Sequence, residues 1–85
     1  MTTEERAKQL GLQPLAKIRS WAWAGLDPAR MGLGPVYATA KALDSAGLEL
    51  KDMGAIEINE AFAAQVLACR RAMESADFCK QHLGL

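Results

Sequence analysis

The sequence predicts an α/β fold in the order helix, strand, helix, strand, helix, with the two strands parallel. Three observations carry this. Ala55, Ile56 and Ile58 form a short apolar run rich in β-branched residues, the pattern of a strand buried on both faces. Directly after it, Phe62, Val66, Cys69 and Met73 recur at steps of 4, 3 and 4, which is one stripe of a helix. Earlier, Leu15 to Ala24 alternates, with Trp21 and Trp23 on one face and Ser20, Ala22 and Ala24 on the other. The connection between these strands is long enough for a helical crossover, which makes the strands parallel and the crossover right-handed.

With 85 residues the chain is at most one small domain, near the size at which a single core only just suffices. Ten basic and ten acidic residues cancel, and no basic run stands out, so nucleic acid is not an expected partner. No stretch approaches the roughly 18 consecutive apolar residues of a membrane span. The start, Met1-Thr2-Thr3-Glu4-Glu5-Arg6, lacks the apolar core of a signal peptide, which argues for a cytoplasmic protein. Cys69 and Cys79, with nine residues between them, fit no common zinc or redox spacing, and His82 stands alone, so no metal site is expected.

The first helix is read from a capping box, Thr2 with Glu5 three residues on. It runs to about Leu10, where Gly11 closes it in the left-handed conformation with Leu12 as the hydrophobic follower. Pro14 prevents resumption. After the first strand, Gly25 to Gly34 reads as a loop containing Asp27-Pro28 and Met31-Gly32-Leu33-Gly34-Pro35. It is not a dinucleotide fingerprint, because the third glycine is missing. Pro35 suits the first position of a helix that carries Val36, Ala40 and Leu43 on one face. Gly47 is its expected left-handed stop, with Leu48 beyond, while Lys41 and Asp44 solvate the outer side.

The second strand is expected to end at Ile58 and the last long helix to begin at Asn59. Asn is a preferred N-cap, and Glu60 in the first turn complements the helix dipole. Such a junction is where α/β folds bind ligands. Asn59 is therefore read two ways, as a plain cap or as an amide that faces a pocket and holds a water or substrate oxygen. The helix continues to about Met73 or Glu74, and Ser75 to Leu85 adds a further short helix with Phe78 and Leu83 apolar and Gly84 as a stop. The tryptophans are read as core or interface residues, and His82 as a surface or packing residue. Two parallel strands would each keep an open edge, so the pattern reads as the middle of something larger.

The blocks Pro14-Leu15-Ala16-Lys17-Ile18, Met31-Gly32-Leu33-Gly34-Pro35-Val36, Lys41-Ala42-Leu43 and Ile56-Glu57-Ile58-Asn59-Glu60-Ala61-Phe62-Ala63-Ala64-Gln65 closely resemble thiolases, the acetyl-CoA acyltransferases. The resemblance extends from about Glu5 to Ala68, with Cys69 to Leu85 similar to a variable region. It implies the central part of the C-terminal half of a layered αβαβα enzyme that makes or breaks a carbon–carbon bond beside a thioester, with coenzyme A as substrate rather than as a resident cofactor. It further implies that Asn59 holds a water in an oxyanion hole, that Met31 lines the acyl pocket, and that Ala61 and Phe62 lie along the pantetheine arm. Asn59 rather than His favours the ordinary thiolase branch.

The family's nucleophilic Cys, its His-Pro-x-Gly segment and its Cys-x-Gly segment have no counterpart here. Cys69 precedes Arg70-Arg71 and Cys79 precedes Lys80-Gln81, without the glycines that place the family's cysteines. The chain alone is therefore expected to be inactive, with acyl-CoA and the remainder of a thiolase chain, or a second copy, as partners. The alternative is a non-catalytic assembly module, joined through its open strand edges and Trp21 and Trp23. Coenzyme A binding without catalysis is a third reading.

Overall fold

Either of the first two threonines could cap a helix, and the backbone chooses Thr3. In a computed structural model that describes residues 1–85, Thr3 has extended dihedrals and its Oγ1 accepts the Arg6 N–H at 3.1 Å. Glu4 and Glu5 then occupy the first turn of α1 (Glu4–Gln9), at the positive end of its dipole. The expected Thr2 cap is thus displaced by one residue. The end is as expected. Gly11 lies at φ 65°, its N–H donates to the Lys8 carbonyl at 3.2 Å, and the Leu12 N–H reaches the Ala7 carbonyl at 2.9 Å. This is the double-bonded left-handed stop that satisfies the last carbonyls of a helix.

Neither predicted strand forms. Residues 10–27 and 53–62 hold no ladder, and no backbone hydrogen bond joins the two segments. The helix–strand–helix–strand–helix order, with its two parallel strands, is replaced by a helical chain with irregular connections. The reason is that strand character belongs to a pair. A lone parallel pair leaves each strand with an unpaired edge and an uncovered face, so neither segment gains enough from the other. Period-two character nevertheless survives. Ser20, Ala22 and Ala24 are half-buried while Trp21 and Trp23 point out, their rings 5.4 Å apart. The inward face is anchored to the following helix, where Ser20 Oγ donates to the Ala42 carbonyl at 2.7 Å. Lys41 Nζ donates to the Trp23 carbonyl at 3.4 Å, so this lysine does more than solvate the helix. The tryptophans, 70% and 83% exposed, are not core residues of this chain.

The loop after Gly25 tightens into a 3₁₀ turn over Pro28–Leu33, started by Asp27, whose Oδ1 accepts the Ala29 N–H at 3.1 Å. Proline in the opening turn then begins α2 (Gly34–Ala46). Gly47, at φ 68°, ends it through bonds to the Asp44 and Leu43 carbonyls, from the Gly47 and Leu48 N–H groups respectively. A short 3₁₀ turn, Leu50–Asp52, follows.

The last long helix, α3 (Ala63–Glu74), starts after Phe62, which no side chain assists as a cap. Asn59 is therefore not its N-cap and Glu60 is not in its first turn. The chain makes a tight turn there instead, with the Ala61 N–H donating to the Asn59 carbonyl at 3.1 Å. Asn is favoured in turns as well as at caps, so residue type alone did not separate the two. The tail divides into α4 (Ala76–Phe78) and a π-helical turn, Cys79–Leu83, rather than one helix. Gly84, at φ 73°, stops it.

One small cluster holds these parts together. Val36 of α2 packs with Cys69 and Ala72 of α3, and Leu33, Tyr37, Met73, Phe78 and Leu83 close around them. Phe62, expected at the head of the α3 stripe, is exposed. The radius of gyration is 15.8 Å, against about 12 Å for a compact domain of this length, so much of the apolar surface stays outside.

Candidate functional site

The turn between the extended segment and α3 and the N-terminal half of α2 border an open cleft of ≈370 Å³. Pro35 and Thr39 of α2, Leu50, Ile56 to Asn59 with Ala61, and Gln65 and Met73 of α3 line it. Asn59 is exposed there, and its amide is not spent on capping α3. Of the residues expected at the site, the structure brings Asn59 and Ala61 together in this cleft. Met31 and Phe62 do not line it, and both are exposed, at 76% and 77%.

Met31 is tied to the site indirectly. The carbonyl of Gly32 accepts the Gln65 amide at 3.2 Å and the Cys69 thiol at 3.2 Å, so α3 grips the backbone beside Met31. The sequence alone assigns no role to Gln65. The usable signal was its spacing of four from Cys69, which puts both on one helical face.

Cys69 is fully buried, and burial pushes its thiol pKa up. A nucleophilic cysteine needs the opposite shift, toward thiolate at neutral pH. Cys69 is thus a packing residue and a neutral hydrogen-bond donor, as its place on the α3 stripe implied. His82 is exposed and lies against Phe78, ring centroids 4.6 Å apart, with Phe78 in turn edge-on to Tyr37 at 6.0 Å. No three His, Cys, Asp or Glu side chains converge as metal ligands would. No helix is long and apolar enough to cross a membrane. A second, wider hollow of ≈1550 Å³ lies between α1 and residues 14–21 and shares no residue with the cleft.

The chain belongs to the thiolase family, in the region of its C-terminal domain. Residues 12–81 match the family described as thiolase, C-terminal domain. A 3-ketoacyl-CoA thiolase of Photorhabdus laumondii is 57% identical over 77 residues, covering 91% of this chain and 20% of that protein. A 3-ketoacyl-CoA thiolase of Colwellia psychrerythraea is 57% identical over 72 residues, covering 85% of this chain and 19% of that protein. Among solved structures, human mitochondrial 3-ketoacyl-CoA thiolase superposes with a TM-score of 0.81 at 45% identity, covering 88% of this chain and 19% of that one. The Bacillus anthracis acetyl-CoA acetyltransferase gives 0.80 at 48% identity, covering 86% and 18%. The human enzyme is also similar in its complex with CoA, with a TM-score of 0.80. The chain thus spans about one fifth of the length of the relatives it matches.

Proposed function

We propose that this chain supplies the oxyanion-hole part of a thiolase, an enzyme of fatty acid metabolism that transfers acyl groups to and from coenzyme A by Claisen condensation or thiolysis of 3-ketoacyl-CoA. The observation that carries the reading is the free amide of Asn59, an exposed residue that lines the cleft on a tight turn and is not used to cap α3. A thioester oxygen that gains negative charge needs a donor already in place. An amide on a turn supplies one, directly or through a water, and removing such a donor costs about 2.7–4 kcal/mol of transition-state stabilisation. Met31 would meet the acyl group, and Ala61 and Phe62 the pantetheine arm. With Cys69 buried and neutral, the nucleophile, its activating His and the second catalytic Cys belong to the rest of the enzyme.

The test replaces the matching 77-residue stretch of the Photorhabdus laumondii enzyme with this chain's residues. The hybrid is expected to turn over 3-ketoacyl-CoA. Asn59→Ala in it is expected to lower kcat by about 10²–10³ with little change in KM. An unchanged kcat would refute the role of Asn59.

The exposed Trp21–Trp23 pair favours a second reading, an assembly module that buries this pair against another copy. Sedimentation separates the two readings. A defined oligomer that dissociates in Trp21→Ser/Trp23→Ser supports the module, and a monomer excludes it.

A further inference from the structure

Gly32 sits beside Met31 in the 3₁₀ turn, and its carbonyl receives two donors from α3. Gln65 Nε2 and Cys69 Sγ each approach to 3.2 Å. A carbonyl oxygen has two lone pairs, and both are engaged. It can only accept, so the nitrogen end of the Gln65 amide must face it. That leaves Gln65 Oε1 buried and without a partner. An orphaned buried acceptor is costly, so the side chain keeps this orientation because its Nε2 bond outweighs the loss. The same residue lines the cleft that Asn59 and Ala61 also line. One residue therefore touches both the backbone next to Met31 and the cleft beside Asn59.

The geometry points to Gln65 as a positioning residue: by holding the Gly32 carbonyl it sets where Met31 stands relative to Asn59. This rests on the reading that Met31 meets the acyl group. It adds that the acyl length the site accepts depends on a residue that does not itself touch the acyl chain.

The test is nuclear magnetic resonance on the isotope-labelled 85-residue chain without coenzyme A. In the unsubstituted chain a scalar coupling across the hydrogen bond from Gln65 Nε2 to the Gly32 carbonyl is expected, and its absence overturns the proposal without any variant. In Gln65→Glu at neutral pH the carboxylate cannot donate. The Gly32 carbonyl resonance should then move upfield, and the Met31 amide order parameter should fall from about 0.85 toward 0.6 or below. In acid the protonated carboxyl donates again and both should recover. Gln65→Leu, of similar bulk but with no donor, should not recover at any pH. Glu57, which shares the cleft, and Cys69 are present in both variants, so the difference between them reports residue 65. Met31 staying ordered in Gln65→Glu at neutral pH, or Glu and Leu behaving alike in acid, overturns the proposal. No substrate is present, so failure of the acyl role of Met31 would leave this result intact.

Discussion

Cys69 donates its thiol proton to the carbonyl of Gly32 at 3.2 Å, across 37 residues of sequence, while burial holds the thiol neutral. The other cysteine, Cys79, is only half-buried, its Sγ 3.6 Å from the Ala72 carbonyl. Iodoacetamide at pH 8 is therefore expected to modify Cys79 at least tenfold faster than Cys69 in the folded chain. Peptide mass mapping during the reaction checks it, and urea should remove the difference.

The raised Cys69 pKa also fixes a sign. The folded chain binds this proton more tightly than the unfolded chain, so its contribution to stability is fully present below the ordinary thiol value of 9.0 and is lost as pH rises beyond it. Urea midpoints should hold from pH 7 to 8 and decline above 9, and Cys69→Ala should flatten that decline.

Gly47 and Gly34 bracket one helix but should respond oppositely to alanine. Gly47 lies at φ 68°, where a Cβ is strained, so Gly47→Ala should cost about 1 kcal/mol. Gly34 is helical with nothing within 4 Å of a built Cβ, so Gly34→Ala should stabilise by about 0.4–1 kcal/mol. Thermal melts followed by circular dichroism would show the two midpoints moving apart.

Val36, 2% exposed, is the largest apolar side chain buried between α2 and α3. Val36→Ala removes two methyl groups and leaves a void, at a cost of about 1.5–3 kcal/mol. With only four residues buried, the expected outcome is loss of most of the helical signal at 25 °C. The Arg70–Glu74 pair, at 2.9 Å, is exposed and screened by solvent, so Glu74→Gln should leave the melt unchanged.

The features legible in the sequence were those decided within a few residues. Gly11, Gly47 and Gly84 stop helices because each stop needs only a left-handed residue and two or three local hydrogen bonds. The inward face of Ser20, Ala22 and Ala24 was legible too, because alternation is local, but Leu15 to Arg19 are exposed throughout and show none of it. The strand over Leu15 to Ala24 was not legible, because a strand needs a partner that these residues do not meet. Asn59 was misplaced by four residues as a helix start because turns and caps favour the same side chain. Gln65 went unread because its acceptor, Gly32, lies 33 residues away.

On the proposed reading the chain holds an oxyanion-hole residue, Asn59, and no nucleophile. Thiolysis of acetoacetyl-CoA by the purified 85-residue chain, followed by loss of the enolate absorbance on addition of coenzyme A, tests it most directly. The expected rate is indistinguishable from buffer, with Cys69→Ala and Cys79→Ala giving the same trace. Turnover that disappears in either cysteine variant would contradict it.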